Sequence, residues 1–184
     1  SASGILIQNT HTVTITAPET GKLINIALGG TLTYNNTGAG GWDLDIVSDG
    51  TGTHDLIVNG TYLIYGIAPT LAVGATCQVA ATGIIRANGN AGVGTSDDFA
   101  RSSQIFLVTN AVYDWNTTST FSSSNTIYFP NAGAADIAIF RVSQTPSFSI
   151  GGANPTSFLG RFEANAAISF ANSAVKVFRN GIIG

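Results

Sequence analysis

Apolar and polar positions alternate in short runs along nearly the whole chain. In Thr12-Val13-Thr14-Ile15-Thr16-Ala17 the apolar side chains fall on one face and the threonines on the other, the period of two that a half-buried β-strand requires. Ile24, Ile26 and Leu28 repeat the pattern, as do Leu32 with Tyr34, and Trp42, Leu44 and Ile46, which puts Asp43 and Asp45 on the solvent side of that strand. Between residues 49 and 89 the cadence becomes regular. Asp49-Gly50, Asn59-Gly60, Gly66, Gly74, Gly83 and Asn88-Gly89 separate the runs Thr53–Val58, Thr61–Tyr65, Thr70–Val73, Thr76–Ala80 and Ile84–Ala87. Glycine and asparagine at such points supply the positive φ of tight corners. Strong helix formers are few, and β-branched residues are many, so the chain reads as all-β.

Short strands at this spacing have two solutions. One is a β-sandwich or jelly roll of hairpins, which Asn-Gly and Asp-Gly turns favour. The other is a right-handed parallel β-helix, a solenoid whose coils are short strands joined by corners. The Gly/Ala-rich runs from Gly66 to Gly89 pair weakly alone but bury small residues well when stacked, so the β-helix is the expected fold. No fixed repeat period survives counting, although Gly30-Thr31-Leu32-Thr33-Tyr34 and Asn59-Gly60-Thr61-Tyr62 are alike.

The rest of the chain extends this picture. Residues 92–104 (GVGTSDDFARSSQ) are small and polar and read as a loop thrown out from the body. Strands resume at Ile105–Thr109. Nine of the ten phenylalanines lie beyond Ala100, and stacked aromatics in the core explain that concentration. At 184 residues one β-rich domain spanning 1–184 is expected. The absence of methionine and the apolar final run Ile182-Ile183-Gly184 suggest a piece of a longer chain.

Charge is where this sequence departs from an ordinary domain. Asp, Glu, Lys and Arg make up 9% of it, against about a quarter in typical globular proteins. Mean hydropathy is +0.27, too high for a disordered chain. The cations Lys22, Arg86, Arg101, Arg141, Arg161, Lys176 and Arg179 are scattered singly, which argues against nucleic acid. No apolar run approaches the length of a membrane-spanning helix. Cys77 is the one cysteine, sits in an apolar alternation, and reads as a small core residue.

Candidate chemistry is thin. His11 and His54 lack neighbours at metal-ligand spacing, and His54-Asp55 reads as a solvated strand end. A glycosidase needs two carboxyls facing across a cleft. Asp43 and Asp45 have strand spacing for that, as any D-x-D would, and read as solubilising charges. Asp97-Asp98 offers oxygen ligands of the kind calcium takes. Tyr113, Trp115 and Trp42 would form a platform for sugar rings if exposed, and would pack the core if not. No cofactor is implied. The Asn-x-Thr sequons at Asn35, Asn59 and Asn116 indicate surface at most.

The most distinctive phrases are Val112-Tyr113-Asp114-Trp115-Asn116, Thr126-Ile127-Tyr128-Phe129-Pro130-Asn131, Ile137-Ala138-Ile139-Phe140-Arg141-Val142 and Lys176-Val177-Phe178-Arg179-Asn180-Gly181. Together, over roughly 110–184, they resemble adhesin-like modules of the very long secreted surface proteins that Bacteroidota export through the type IX system. That resemblance implies an extracellular, cell-surface stalk or adhesin segment and carries over no catalytic residue. The expectation is a non-catalytic structural or adhesive module of a surface protein or filament. Its partners would be itself, neighbouring modules of the same chain, or surface glycans. The alternative is a carbohydrate-binding or carbohydrate-cleaving β-helix.

Overall fold

The computed structural model of the protein describes residues 4–36, 44–66, 70–88, 104–117, 121–122, 127–129, 137–143, 147–151, 156–170 and 175–184. The alternating runs form strands throughout, and no helix occurs among the described residues. Trp42, Asp43, Asp97, Asp98 and the loop residues 92–103 lie outside them.

The strands are short and arranged in tiers. Ile5–Ile7, Thr12–Ile15 and Glu19–Gly21 make the first tier; Ile24–Ile26, Thr31–Asn36 and Leu44–Ile46 the second; Leu56–Val58, Thr61–Gly66 and Thr70–Leu71 the third. Each strand pairs with its counterpart in the next tier rather than with its neighbour in sequence. A five-stranded sheet results, continuing through Cys77–Val79 to Ile105–Leu107. An eight-stranded sheet runs on through Ile84–Ala87, Val112–Trp115, Ile139–Val142 and Arg161–Ala164 to Ile182–Ile183. Three three-stranded sheets complete the set. Glu19–Gly21, Leu44–Ile46 and Thr70–Leu71 form one; Phe121–Ser122, Ser147–Gly151 and Ala167–Phe170 another; and Ile127–Tyr128, Thr156–Phe158 and Lys176–Phe178 the last. Every pairing among the described residues is parallel. The antiparallel hairpins that a β-sandwich or jelly roll would need do not form among these residues: Asn59-Gly60 joins two strands that pair with other tiers, not with each other.

Parallel pairing in register places like positions one above another. The columns Ile24, Leu56, Cys77, Ile105 and Ile26, Val58, Val79, Leu107 face inward and are buried. In the eight-stranded sheet the inward columns are Leu32, Tyr62, Ile85, Tyr113, Phe140, Phe162 and Tyr34, Ile64, Ala87, Trp115, Val142. The late phenylalanines stack as expected. Tyr113 and Phe140 lie 5.7 Å apart at 21°, and Phe140 and Phe162 5.5 Å apart at 12°. A second stack, Phe158 on Phe178 at 5.2 Å, meets the first edge-on, with Phe158 5.0 Å from Phe162 at 72°. Both geometries are favourable for aromatic quadrupoles. Leu28 departs from the sequence pattern: it occupies a corner and is 62% exposed.

Corners repeat as well. The carbonyls of Gln8, Ala27, Ala80 and Val108 each accept from the N–H three residues on, at His11, Gly30, Gly83 and Ala111. The position just before each later strand of the eight-stranded sheet is held by something small: Gly30, Gly60, Gly83, Ala111, Ala138, Gly160. The first five of their carbonyls form one axial ladder, with Thr61 N donating to Gly30 O, Ile84 N to Gly60 O, Val112 N to Gly83 O, Ile139 N to Ala111 O and Arg161 N to Ala138 O, all at 2.8–3.0 Å. A Cβ at Gly83 would stand 2.0 Å from Val58 O.

The repeat is therefore real but irregularly spaced. Thr12, Thr31, Thr61, Ile84, Val112, Ile139 and Arg161 share one column, and the stretch of chain between successive members is never the same length twice running. We expect Gly83→Ala to destabilise the fold by about 3 kcal/mol, because a backbone carbonyl cannot yield. Ala111→Gly, at the same column position, should cost only about 1 kcal/mol for the lost methyl. Urea unfolding midpoints of the two variants measure the difference.

Candidate functional site

The residues that sequence reasoning singled out do not make an exposed platform. Trp115 is fully enclosed and Tyr113 is 1% exposed, both in the inward columns of the eight-stranded sheet. The sugar-stacking reading of this pair is corrected on that ground, since a ring inside the core offers no face to a ligand. Trp42 lies outside the described residues, as does Asp43, so the Asp43/Asp45 pair is not formed among them. Cys77 is fully buried between Leu56 and Ile105. Burial pushes its thiol well above the ordinary range, which leaves it an inert core residue.

His54-Asp55 is not a solvated strand end. Asp55 is 1% exposed and works as a staple: Oδ1 accepts from Asp49 N at 2.8 Å and Oδ2 from Thr76 N at 2.9 Å. His54 Nδ1 lies 3.0 Å from Thr76 Oγ1, and its ring lies 5.2 Å from that of Phe106. Asp49 is turned to local use, accepting from Thr51 N and Thr51 Oγ1, and these hydrogen bonds hold its carboxyl below the usual range. Among the described residues no three His, Cys, Asp or Glu side chains come together in a way that could hold a metal ion.

Sequence reasoning missed an arrangement that only the register shows. Three of the cations that are scattered singly along the chain, Arg86, Arg141 and Arg161, come together in space. Arg86, Asp114, Arg141 and Glu163 occupy one outward column of the eight-stranded sheet in consecutive tiers. Arg86 Nε donates to Asp114 Oδ2 at 2.8 Å, and Arg141 Nε to Glu163 Oε2 at 2.8 Å. Arg161 adds a bond to Glu163 Oε1 at 2.7 Å. Asp114 is completely buried, and its Oδ1 accepts no hydrogen bond. Skipping one tier would set Arg86 against Arg141, or Asp114 against Glu163, so the alternation of charge opposes mis-stacking. The sequence signal is the recurrence of a small residue three before each charge: Gly83, Ala111, Ala138 and Gly160.

A second surface is the open edge of the first tier. Ile5 and Val13 belong to inward columns whose later members are buried, yet they are 49% and 40% exposed. Beside them a cavity of about 300 Å³ is lined by Ile7, Val13, Ile15, Ala17, Gly21 and Leu44. These three strands, Ile5–Ile7, Thr12–Ile15 and Glu19–Gly21, are each the outermost of their sheets and present unpaired backbone groups along one edge. At the other limit Val175, Val177 and Ile182 are 63%, 46% and 47% exposed.

Comparison with protein-family models, with curated proteins and with solved structures finds no match to this chain.

The ion column gives a pH-dependent prediction. Burial raises the Glu163 carboxyl, but hydrogen bonds from Arg141 and Arg161 outweigh it and hold it below the usual glutamate range. A depressed folded-state value means stability that is present above the unfolded value, about 4.3, and lost as pH falls through the folded one. Glu163→Gln should therefore lower stability by about 1 kcal/mol at pH 7. The gap from the parent protein should close as the pH is lowered from about 5, read from thermal melts across that window.

Proposed function

We propose that the chain is a stretch of right-handed parallel β-solenoid serving as a non-catalytic structural and adhesive module of an extracellular, cell-surface protein or filament. The handedness follows from the general preference of parallel crossovers, right-handed in about 98% of cases. In-register parallel tiers, inward columns of like residues and recurrent small corner residues all support a solenoid. The near absence of charge and the resemblance of residues 110–184 to surface-protein modules support the cell-surface setting.

The observation that carries the reading is the parallel, in-register stacking of strands from tier to tier, which a further tier on the edge at Ile5 and Val13 would continue. A further tier laid on that edge, from a neighbouring module of the same chain or from another copy, would bury those side chains and pair the free backbone. The parallel sheets are polar, so stacking runs in one direction and yields a rod rather than a closed dimer.

Negative-stain images and sedimentation velocity over a concentration series test this. We expect rods and concentration-dependent association, both abolished in the double variant Ile5→Lys, Val13→Lys with its circular dichroism unchanged. A globular particle that stays monomeric at every concentration would overturn the reading.

A further inference from the structure

The rod reading leaves the occupant of the open first tier unnamed, and the two limits of the column identify it together. Val13 and Ile182 are the outermost members of one inward column. Its interior members, from Leu32 to Phe162, are buried, while Val13 and Ile182 are exposed. The strands that precede these two across a corner repeat the relation. Ile5–Ile7 leads into Thr12–Ile15, and Lys176–Phe178 leads into Ile182–Ile183. All four strands are outermost in their sheets, and Leu6 and Val177 are exposed on their outward faces.

Corner length decides whether two tiers can stack, and the chain already makes this junction once. Phe178-Arg179-Asn180-Gly181-Ile182 is a short corner, equal in length to Val58-Asn59-Gly60-Thr61-Tyr62 and sharing its Asn-Gly pair. The stretch from Ile7 to Val13 is longer, and equals that from Val79 to Ile85. Within the column the short corner and the long one are consecutive, with Val58 in register on Val79 and Tyr62 on Ile85. Ala80 N donates there to Val58 O and Ile84 N to Gly60 O, both at 2.9 Å. If a first tier follows a last one in the same way, the equivalent bonds run from Gln8 N to Phe178 O and from Thr12 N to Asn180 O.

Shape and charge agree with that pairing. The first tier is built from aliphatic and small residues around its cavity, among them Ile7, Val13, Ile15 and Gly21. The last tier carries an aromatic ring instead: Phe178 is stacked on Phe158 and only partly buried. Placed over Ile7, that ring meets the mouth of the cavity, bulk against hollow. The outward column that holds Arg86, Asp114, Arg141 and Glu163 begins at Thr14 and ends at Ile183, so the junction brings two uncharged residues together and buries no ion.

We propose that the occupant of the open first tier is the last tier of a second copy of this chain, with Val13 on Ile182, Ile7 on Phe178 and Leu6 on Val177. The contact is heterologous: one surface of each copy meets a different surface of the next, and the pair repeats without closing. This inference rests on the solenoid reading and deepens it by naming the partner and the register.

Disulfide trapping tests the register. In-register residues on adjacent strands have Cα atoms about 4.8 Å apart, within reach of a disulfide. Cys77 is buried with an inert thiol and takes no part. Val13→Cys and Ile182→Cys are made singly and together and oxidised in air, with circular dichroism confirming that each variant folds. We expect the double variant to give a ladder of covalent multimers on a non-reducing gel and the two single variants to give a dimer only when mixed. Thr16→Cys combined with Ile182→Cys, exposed on the same tier but outside the column, should yield roughly a tenth of that ladder or less, its Cα being too distant. A Val13→Cys chain that crosslinks to itself, or equal ladders from the Thr16→Cys control, would overturn the proposal. Sedimentation of the parent chain separates the two readings: a parent that assembles while the double variant gives no ladder removes this inference and leaves the structural module standing, and a parent that stays monomeric removes both.

Discussion

The whole structure depends on backbone hydrogen bonding between tiers that are distant in sequence. Because each strand pairs in parallel with the strand one tier away, every side chain has a fixed neighbour above and below, and those neighbours must be compatible in size and charge. That constraint explains the glycines Gly30, Gly60, Gly83 and Gly160, where a Cβ would meet a backbone carbonyl of the neighbouring tier. It also explains why Tyr113, Phe140 and Phe162 can stack face to face. Few charges are needed, since the core runs the length of the column and the backbone satisfies itself from tier to tier.

Much of this was legible. The period of two located Thr31–Asn36, Thr61–Gly66 and Ile84–Ala87 closely, because strands with one buried face cannot shift register without exposing their apolar set. The concentration of phenylalanine pointed to an aromatic core, and Phe129, Phe140, Phe158 and Phe162 are all buried. Corner residues such as Leu28 and the Asp55 staple were misjudged, since alternation and sequence neighbours say nothing about which carbonyl or amide lies across a turn.

The charge column shows where reading a chain in one dimension fails. Arg86, Asp114, Arg141 and Glu163 each lie a full tier of chain apart, so no local pattern joins them. Only an alignment anchored on the small corner residues brings them together, and the anchor is hidden by unequal spacing. The same blindness affected Tyr113 and Trp115. Alternation put both on one face correctly, but whether that face is core or solvent depends on what the opposite sheet supplies.

Unequal spacing has an engineering and evolutionary meaning. The path from Thr31 to Thr61 is much longer than the path from Thr12 to Thr31, yet both leave the stacked columns in register, and most of the extra length lies outside the described strands. A scaffold of this kind accepts foreign peptide where its chain bends, each new segment displayed at a known height on the column while the interior is untouched.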